Sequence, residues 1–287
     1  PTEMIIDEVR KAAEKGYSEI LLLGQTVNSY RDPENRKFKF AHLLEKITEI
    51  PGIQRIRFTS PHPREFDAPT IHTMDNFDKI CNQVHLPVQS GANKILKRMR
   101  RRYTRESYLD LVGKFRNCHR SFALSTDIIV GFPGETEADF EKTLSLLKKA
   151  KFESVFSFKY SPRPYTPAAS WTDDVPGEEK TKRLMILQRT QNEIQLKIHQ
   201  ERYLGQIFEV LVEGIARDGQ KLYGRTTTNK IINFSGNSTP GTFEKLLVTG
   251  VNVHSLLGQL TQKNNKTSIL AQQSLKLGKQ PLTEKDS

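Results

Sequence analysis

The sequence predicts an α/β chain, a partial parallel (β/α) barrel followed by a small all-β barrel. Three observations carry that prediction. Strand-like and helix-like segments alternate five times through about the first 170 residues, the pattern of a parallel sheet. Each strand-like segment is closed on its C-terminal side by Gly, Pro or polar residues, so the loops share one face. After Pro176 the rhythm changes to one long charged helix, and then to short strands separated by glycine turns.

The elements follow in order. Ile5, Ile6, Val9, Ala12 and Ala13 share a helical face that ends at Gly16. Ser18 to Leu23 reads as a buried strand, closed by 24–30. Ala41 to Ile50 is a helix stopped by Pro51-Gly52, and Ile53 to Thr59 is a strand ended by Ser60-Pro61-His62-Pro63. A short helical or irregular piece surrounds Ile71 to Met74. Ile80 to Leu86 is a strand closed by Pro87-Val88-Gln89-Ser90-Gly91, and 95–99 and 108–118 read as helical. Ser121 to Val130 is a strand that breaks on Gly131, Pro133 and Gly134 and opens a helix over 139–150. Such a strand–glycine loop–helix unit brings backbone N–H groups close to a ligand. Ser154 to Tyr160 is the fifth strand. A flat doubly wound sheet is the competing architecture, but no GxGxxG follows the first strand.

The domains predicted are therefore 1–175 for the five βα units, 176–202 for a connecting helix and 203–264 for the small barrel. Strands are expected there at 207–212, 222–227, 230–234 and 245–253. A disordered tail is expected at 265–287, where Gln, Asn, Lys and Ser dominate. The chain begins at Pro1 inside a helical pattern and reads as a piece of a longer polypeptide. The first barrel strand would then lie upstream and leave an exposed edge.

The formal net charge is +11, which suits a phosphate-rich partner, nucleic acid above all. Two cysteines, Cys81 and Cys118, are too few for a disulfide framework or a four-thiolate metal site, and fit a reducing, cytoplasmic setting. No apolar run of about 18 residues predicts a membrane span. Lys94, Lys97, Arg98, Arg100, Arg101, Arg102 and Arg105 form a basic run. It reads equally as a solvated helix end and as a phosphate contact. The seven histidines show no metal-binding spacing, and no Ser/His/Asp triad can be picked out. No catalytic side chain or metal ligand is assigned. Asp127, near the end of a buried strand, is either a paired structural carboxylate or a group that orients a ligand in the mouth.

Five strand-end segments taken together resemble one family. They are Leu22-Leu23-Gly24-Gln25-Thr26-Val27-Asn28-Ser29-Tyr30, Phe58-Thr59-Ser60-Pro61-His62-Pro63, 85–93 running into Leu96-Lys97-Arg98-Met99, 125–136, and Phe158-Lys159-Tyr160-Ser161-Pro162-Arg163-Pro164. In this order they resemble the radical-SAM methylthiotransferases of the MiaB type. The segments Gly224-Arg225-Thr226 and 229–234 resemble the TRAM domain of that family. The resemblance covers about 1–260. It implies a radical-SAM barrel, S-adenosylmethionine (SAM), and two [4Fe–4S] clusters whose ligands would lie upstream of Pro1. It also implies addition of a methylthio group to C2 of N6-isopentenyladenosine beside the tRNA anticodon.

By the same resemblance, Gln25 and Asn28 would sit by the SAM methionyl end, and Gln89 and Ser90 by the ribose. Ile129, Gly131 and Phe132 would hold the adenine through backbone contacts. Arg163 would face the substrate, and Arg225, Lys230 and Asn233 the RNA. Partners implied are tRNA, a sulfur donor and an electron donor such as flavodoxin or ferredoxin, on a monomer that touches no membrane. This chain alone, without cluster thiolates, is expected to be inactive. The chain departs from the family at Tyr165, usually Gly, and at Thr227, usually Glu. The rival functions are methylthiotransferase for threonylcarbamoyladenosine or for a ribosomal protein, and a non-catalytic RNA-binding fragment. The segment 229–234 favours the isopentenyladenosine type.

Overall fold

The computed structural model describes residues 1–261; the tail expected at 265–287 lies outside the described residues. Five parallel strands lie in chain order: β1 (Glu19–Leu22), β2 (Arg55–Phe58), β3 (Gln83–His85), β4 (Ala123–Val130) and β5 (Ser154–Lys159). They form two sheets, β1–β2 and β3–β4–β5. A single parallel bridge, Ile56 with Ile80, joins the sheets. There the Ile56 N–H donates to the Lys79 carbonyl (2.7 Å) and the Cys81 N–H to the Ile56 carbonyl (2.9 Å).

Helices α1 (Thr2–Glu14), α2 (Phe40–Thr48), α3 (Ala68–Asn76), α4 (Asn93–Arg98), α5 (Arg105–Arg116) and α6 (Glu137–Ala150) connect the strands. Period-2 alternation sorts β4: Leu124, Ile128 and Val130 enter the core under the helices, while Ser125, Asp127 and Ile129 take the opposite, lumen face. Side-chain caps start α3, α5 and α6. Thr136 accepts from the Asp139 N–H at α6, and Asp67 from the Thr70 N–H at α3.

Two boundaries differ from the sequence reading. The strand expected over 80–86 is only Gln83–His85, because Ile80 is held by β2 through the bridge and Asn82 turns the chain to β4. The segment around Ile71 is a full helix, α3, because Asp67 caps it and Ile71 and Met74 are buried against the core.

The long helix α7 (Gly177–Arg202) packs on β5. It leads into β6 (Ile207–Ile215), β7 (Leu222–Arg225), β8 (Ile231–Ser235), β9 (Phe243–Val251) and β10 (Leu256–Leu260). These close into a barrel of order β10-β8-β7-β6-β9 around Val210, Val212, Ile232, Phe234, Leu246 and Val248. The sequence reading lacked β10. The turn at 252–255 reverses the chain, and β10 then pairs with both β9 and β8 to close the barrel.

The small barrel sits under the N-terminal ends of the parallel strands. Arg55, almost wholly buried, donates to the carbonyls of Arg225 (2.6 Å) and Glu209 (2.9 Å). Arg57 donates to the Thr226 carbonyl (2.7 Å). The Lys230 ammonium donates to the carbonyl of Glu153 (3.0 Å) and lies 3.1 Å from its carboxylate.

Candidate functional site

The opposite, C-terminal ends of the strands form the mouth. The loop after β3 is shaped by three restraints. Gln89 adopts a left-handed φ of 73° while its N–H donates to Asp127 and its carbonyl accepts from Ile129, 2.9 Å each. Tyr103 donates to the carbonyl of Pro87 (2.9 Å), and Tyr108 to that of Leu86 (2.7 Å). Burial pushes the Tyr103 hydroxyl up to about 12, so both phenols stay protonated donors. Gly91 rests on α6, where a Cβ would come 2.5 Å from the Thr143 Cα.

The loop after β4 is built around Gly131, whose φ is +70° and whose added Cβ would strike the Lys180 side chain at 2.3 Å. Its N–H donates to the buried carboxylate of Glu135 (2.7 Å), which also takes Arg183 of α7 at 2.9 Å. Burial is the first influence on Glu135 and pushes its carboxyl upward. Next to it, Phe132 packs edge-on against Tyr160 (5.0 Å) and Trp171 (5.9 Å). Arg98 stacks over Trp171 at 4.5 Å and donates to the Pro133 carbonyl (3.0 Å).

Between these loops opens a cavity of about 870 Å³. Of the residues singled out in the sequence, Gln89, Ile129, Phe132 and Arg163 line it together. Others stand apart. Gln25 is exposed on the loop after β1. Asn28 is buried and clamps His62, donating to its carbonyl (3.0 Å) and accepting from its N–H (2.8 Å). Ser90 is fully buried, with its hydroxyl accepting from the Ala92 N–H. The expectation of backbone hooks at Ile129 and Gly131 is corrected for their N–H groups, which are already given to Gln89 and Glu135.

Asp127 lies on the lumen face one register below. Its carboxylate is 3.3 Å from His85 Nε2, and His85 Nδ1 is 3.0 Å from Ser125 Oγ. This Ser–His–Asp row was invisible in sequence because only the β3–β4 register, His85 opposite Ser125, assembles it. It can hold a proton-bearing network against a polar ligand.

The RNA candidates are corrected in part. Lys230 is buried and spent on Glu153, so it presents no charge to a phosphate. Arg225 donates from Nε and Nη2 to the Glu213 carboxylate (2.7 and 3.2 Å) and from Nη1 to Asn229 (3.1 Å). Asn233 is half-buried on β8. All three sit on the small barrel, beneath the strands rather than at the mouth.

The donor set fits SAM better than a cluster. The cavity offers an amide, an aromatic box and apolar walls to an adenosyl group. Cys81 is buried and Cys118 sits beyond the end of α5. Among the described residues no group of three or more His, Cys, Asp or Glu is placed to hold a metal. Nor is any described helix long and apolar enough to cross a membrane.

The Radical SAM superfamily matches residues 1–147, and the TRAM domain matches residues 201–261. The tRNA-2-methylthio-N(6)-dimethylallyladenosine synthase of Solibacter usitatus is 48% identical over 263 residues, which are 90% of this chain and 59% of that protein. That of Koribacter versatilis is 44% identical over 263 residues, again 90% of this chain and 59% of that protein. That of Clostridium botulinum (strain Okra) is 48% identical over 259 residues, 90% of this chain and 57% of that protein. The chain thus spans less than two thirds of the length of these relatives, at most 59%.

Proposed function

The chain belongs to the radical SAM superfamily, with a TRAM domain after the barrel, and from that membership we propose that it serves a tRNA methylthiotransferase acting at C2 of N6-isopentenyladenosine beside the anticodon. The observation that carries this is the cavity at the mouth, where Gln89, Ile129, Phe132 and Arg163 meet beneath a rim of arginines. A nucleotide of an RNA chain needs stacking surface, a few polar edges and positive charge for its phosphates, and the cavity has all three.

In this reading Phe132 and the Gln89 amide, both on the cavity wall, would hold SAM by an aromatic face and a polar edge. SAM supplies, on reductive cleavage, the radical that activates the adenine carbon. The chain's own part is placement. The Glu135–Arg183 pair fixes the Gly131 loop to α7. Tyr103 and Tyr108 hold the loop that carries Gln89. Phe132, Tyr160 and Trp171 keep water from one wall. The superfamily implies [4Fe–4S] chemistry, but the two thiols present, Cys81 buried and Cys118 on a separate element, do not fit a cluster. Gln25 and Asn28 belong to the wall on the β1 side, where Asn28 positions the His62 loop rather than a ligand. Arg163 faces the incoming base. An electron donor of the flavodoxin or ferredoxin type, a sulfur donor, a cytoplasmic location and a monomeric state complete the proposal.

The test is nucleoside analysis of tRNA by mass spectrometry after deletion of the gene. The expected result is accumulation of isopentenyladenosine with loss of its 2-methylthio form, restored by the intact gene. Persistence of the methylthio form would refute the reading. Loss of methylthio-threonylcarbamoyladenosine instead would reassign the substrate.

A further inference from the structure

The turn after α4 carries a cluster of arginines without carboxylate partners. Among the described residues, Arg55, Arg57, Arg120, Arg183, Arg202 and Arg225 each have a carboxylate within 4 Å, and the half-buried Arg105 is bonded to the carbonyls of Gly91 and Lys142 and to Ser145. Arg98, Arg100, Arg101 and Arg102 have no carboxylate so close, although Lys94 and Lys114 on either side of them do. Arg98, Arg100 and Arg101 line the mouth cavity that also holds Gln89 and Phe132. The Nε of Arg101 is buried with no hydrogen-bond partner.

The backbone makes this cluster deliberate. Arg100 adopts a left-handed φ of 56°, a conformation that normally selects Gly or Asn at a helix end. Its N–H donates to the Lys97 carbonyl (3.0 Å), and the Arg101 N–H to the Leu96 carbonyl (2.9 Å), which ends α4 with Arg100 and Arg101 on the cavity wall and Arg102 exposed next to them. Unpaired like charges so close together repel one another, and an arrangement of this kind persists where an anion joins it.

We propose that Arg100, Arg101 and Arg102, with Arg98 stacked beside them, form a phosphate-gripping rim that holds the RNA backbone flanking the base in the mouth cavity. This rests on the tRNA reading above and moves the main electrostatic contact from the small barrel to the mouth. The chemistry favours RNA over an acidic protein. The net charge is +11, the rim borders a cavity of nucleotide size, and a guanidinium fork matches a phosphate in two-point geometry. Arg98, held flat on Trp171 and tied to Pro133, sets the inner edge of the rim.

The competing structural account is that cations near a helix C-terminus satisfy its dipole. α4 is only six residues long, and Lys97 and Arg98 already occupy its last turn.

The experiment is fluorescence anisotropy of the full 287-residue chain with an anticodon stem-loop RNA, titrated from 50 to 200 mM salt. The test variant is Arg100→Gln/Arg101→Gln/Arg102→Gln. The charge-matched control is Lys11→Gln/Lys15→Gln/Lys149→Gln, at exposed positions on α1, just past its end and on α6. Three lost phosphate contacts should lower the logarithmic salt slope by about 2, so that affinity falls about 15–20-fold less across that salt range than for the parent. The control should keep the parent slope, and both variants should melt within about 2 °C of the parent. A slope change shared by the control would reduce the effect to net charge and overturn the rim. So would an unchanged slope in the test variant, and a lower melting temperature with that unchanged slope would assign the arginines to the helix end. Arg100→Gly, which relaxes the backbone while removing one charge, should lower the slope by about 0.7 without loss of stability. The slope is read on stem-loops with isopentenyladenosine and with plain adenosine. A phosphate grip acts alike on both, so it stands or falls separately from the deletion-strain nucleosides.

Discussion

Glu153 is the most consequential buried charge outside the mouth, and its replacement tests how the small barrel is attached. Its carboxylate is almost wholly buried and accepts from the Tyr203 hydroxyl (2.7 Å), from Arg202 and from Lys230 (3.1 Å). Burial lowers the Lys230 ammonium's affinity for its proton, and Glu153 is the neighbour that opposes this. Glu153→Gln keeps the shape but strands two cations. Breaking a buried pair in this way costs about 3–5 kcal/mol. At about 2–4 °C per kcal/mol for a chain of this order of size, the melting temperature should fall by about 6–20 °C. Lys230→Met should cost less, about 1–3 kcal/mol, because Arg202 and Tyr203 still satisfy the carboxylate. Melting followed by circular dichroism gives both numbers, and anisotropy gives the RNA salt slope for Lys230→Met, which should match the parent. The reasoning is refuted if Glu153→Gln melts within about 2 °C of the parent. It is equally refuted if Lys230→Met leaves stability intact and lowers the salt slope, for then the ammonium faces phosphate.

His199 on α7 donates to the Asn252 carbonyl (2.8 Å), and burial, then Lys230, push its pKa down to about 4. The unfolded chain takes up that proton near 6.5, so stability is complete above about pH 6.5 and falls by about 3 kcal/mol as pH drops to 4. His199→Gln should flatten melting temperature against pH over that window, and an unchanged profile would exclude His199 as its source. Tyr165 is fully exposed at a left-handed φ of 64°, so Tyr165→Gly should leave stability equal or raise it by up to about 1 kcal/mol, read by denaturant midpoint. Leu21 on β1 and Leu23 just past its end are 50% and 74% exposed, and β1 has no strand on its outer side among the described residues. Leu23→Lys should therefore slow aggregation measured by light scattering, with the parent aggregating faster at every concentration.

What the sequence made legible was local. Glycine and proline after each β-branched segment marked the mouth, because a chain leaving a strand needs a turn and turns have a composition. Gln89, Ile129, Phe132 and Arg163 were singled out by the family resemblance of those strand-end segments, and the structure brings them to one cavity. What stayed hidden depends on pairs far apart in the chain. Lys230 meets Glu153 across 77 positions and Arg57 meets Thr226 across 169, and nothing near either residue signals the other. Lys230 therefore looked like a surface cation of an RNA-binding barrel. His85, Ser125 and Asp127 needed the strand register. β10 was lost for a different reason: the polar turn at 252–255 reads as a fraying strand end, and only barrel closure makes Leu256–Leu260 a strand.

The position of the small barrel follows from a weakness in the parallel arc. The β1–β2 sheet and the β3–β4–β5 sheet meet through one bridge at Ile56, two hydrogen bonds in all. Two sheets joined so thinly would hinge, and a hinge at the strands' lower ends would spread the loops at their upper ends. The small barrel spans that seam. Its 225–227 turn takes Arg55 and Arg57 from β2, and Lys230, three residues on, takes Glu153 at the foot of β5. Arg55 and Arg57 bond to backbone carbonyls, so the grip depends on the turn's conformation more than on its side chains. The small barrel thus acts as a clasp under the arc, holding β2 and the foot of β5 in one frame.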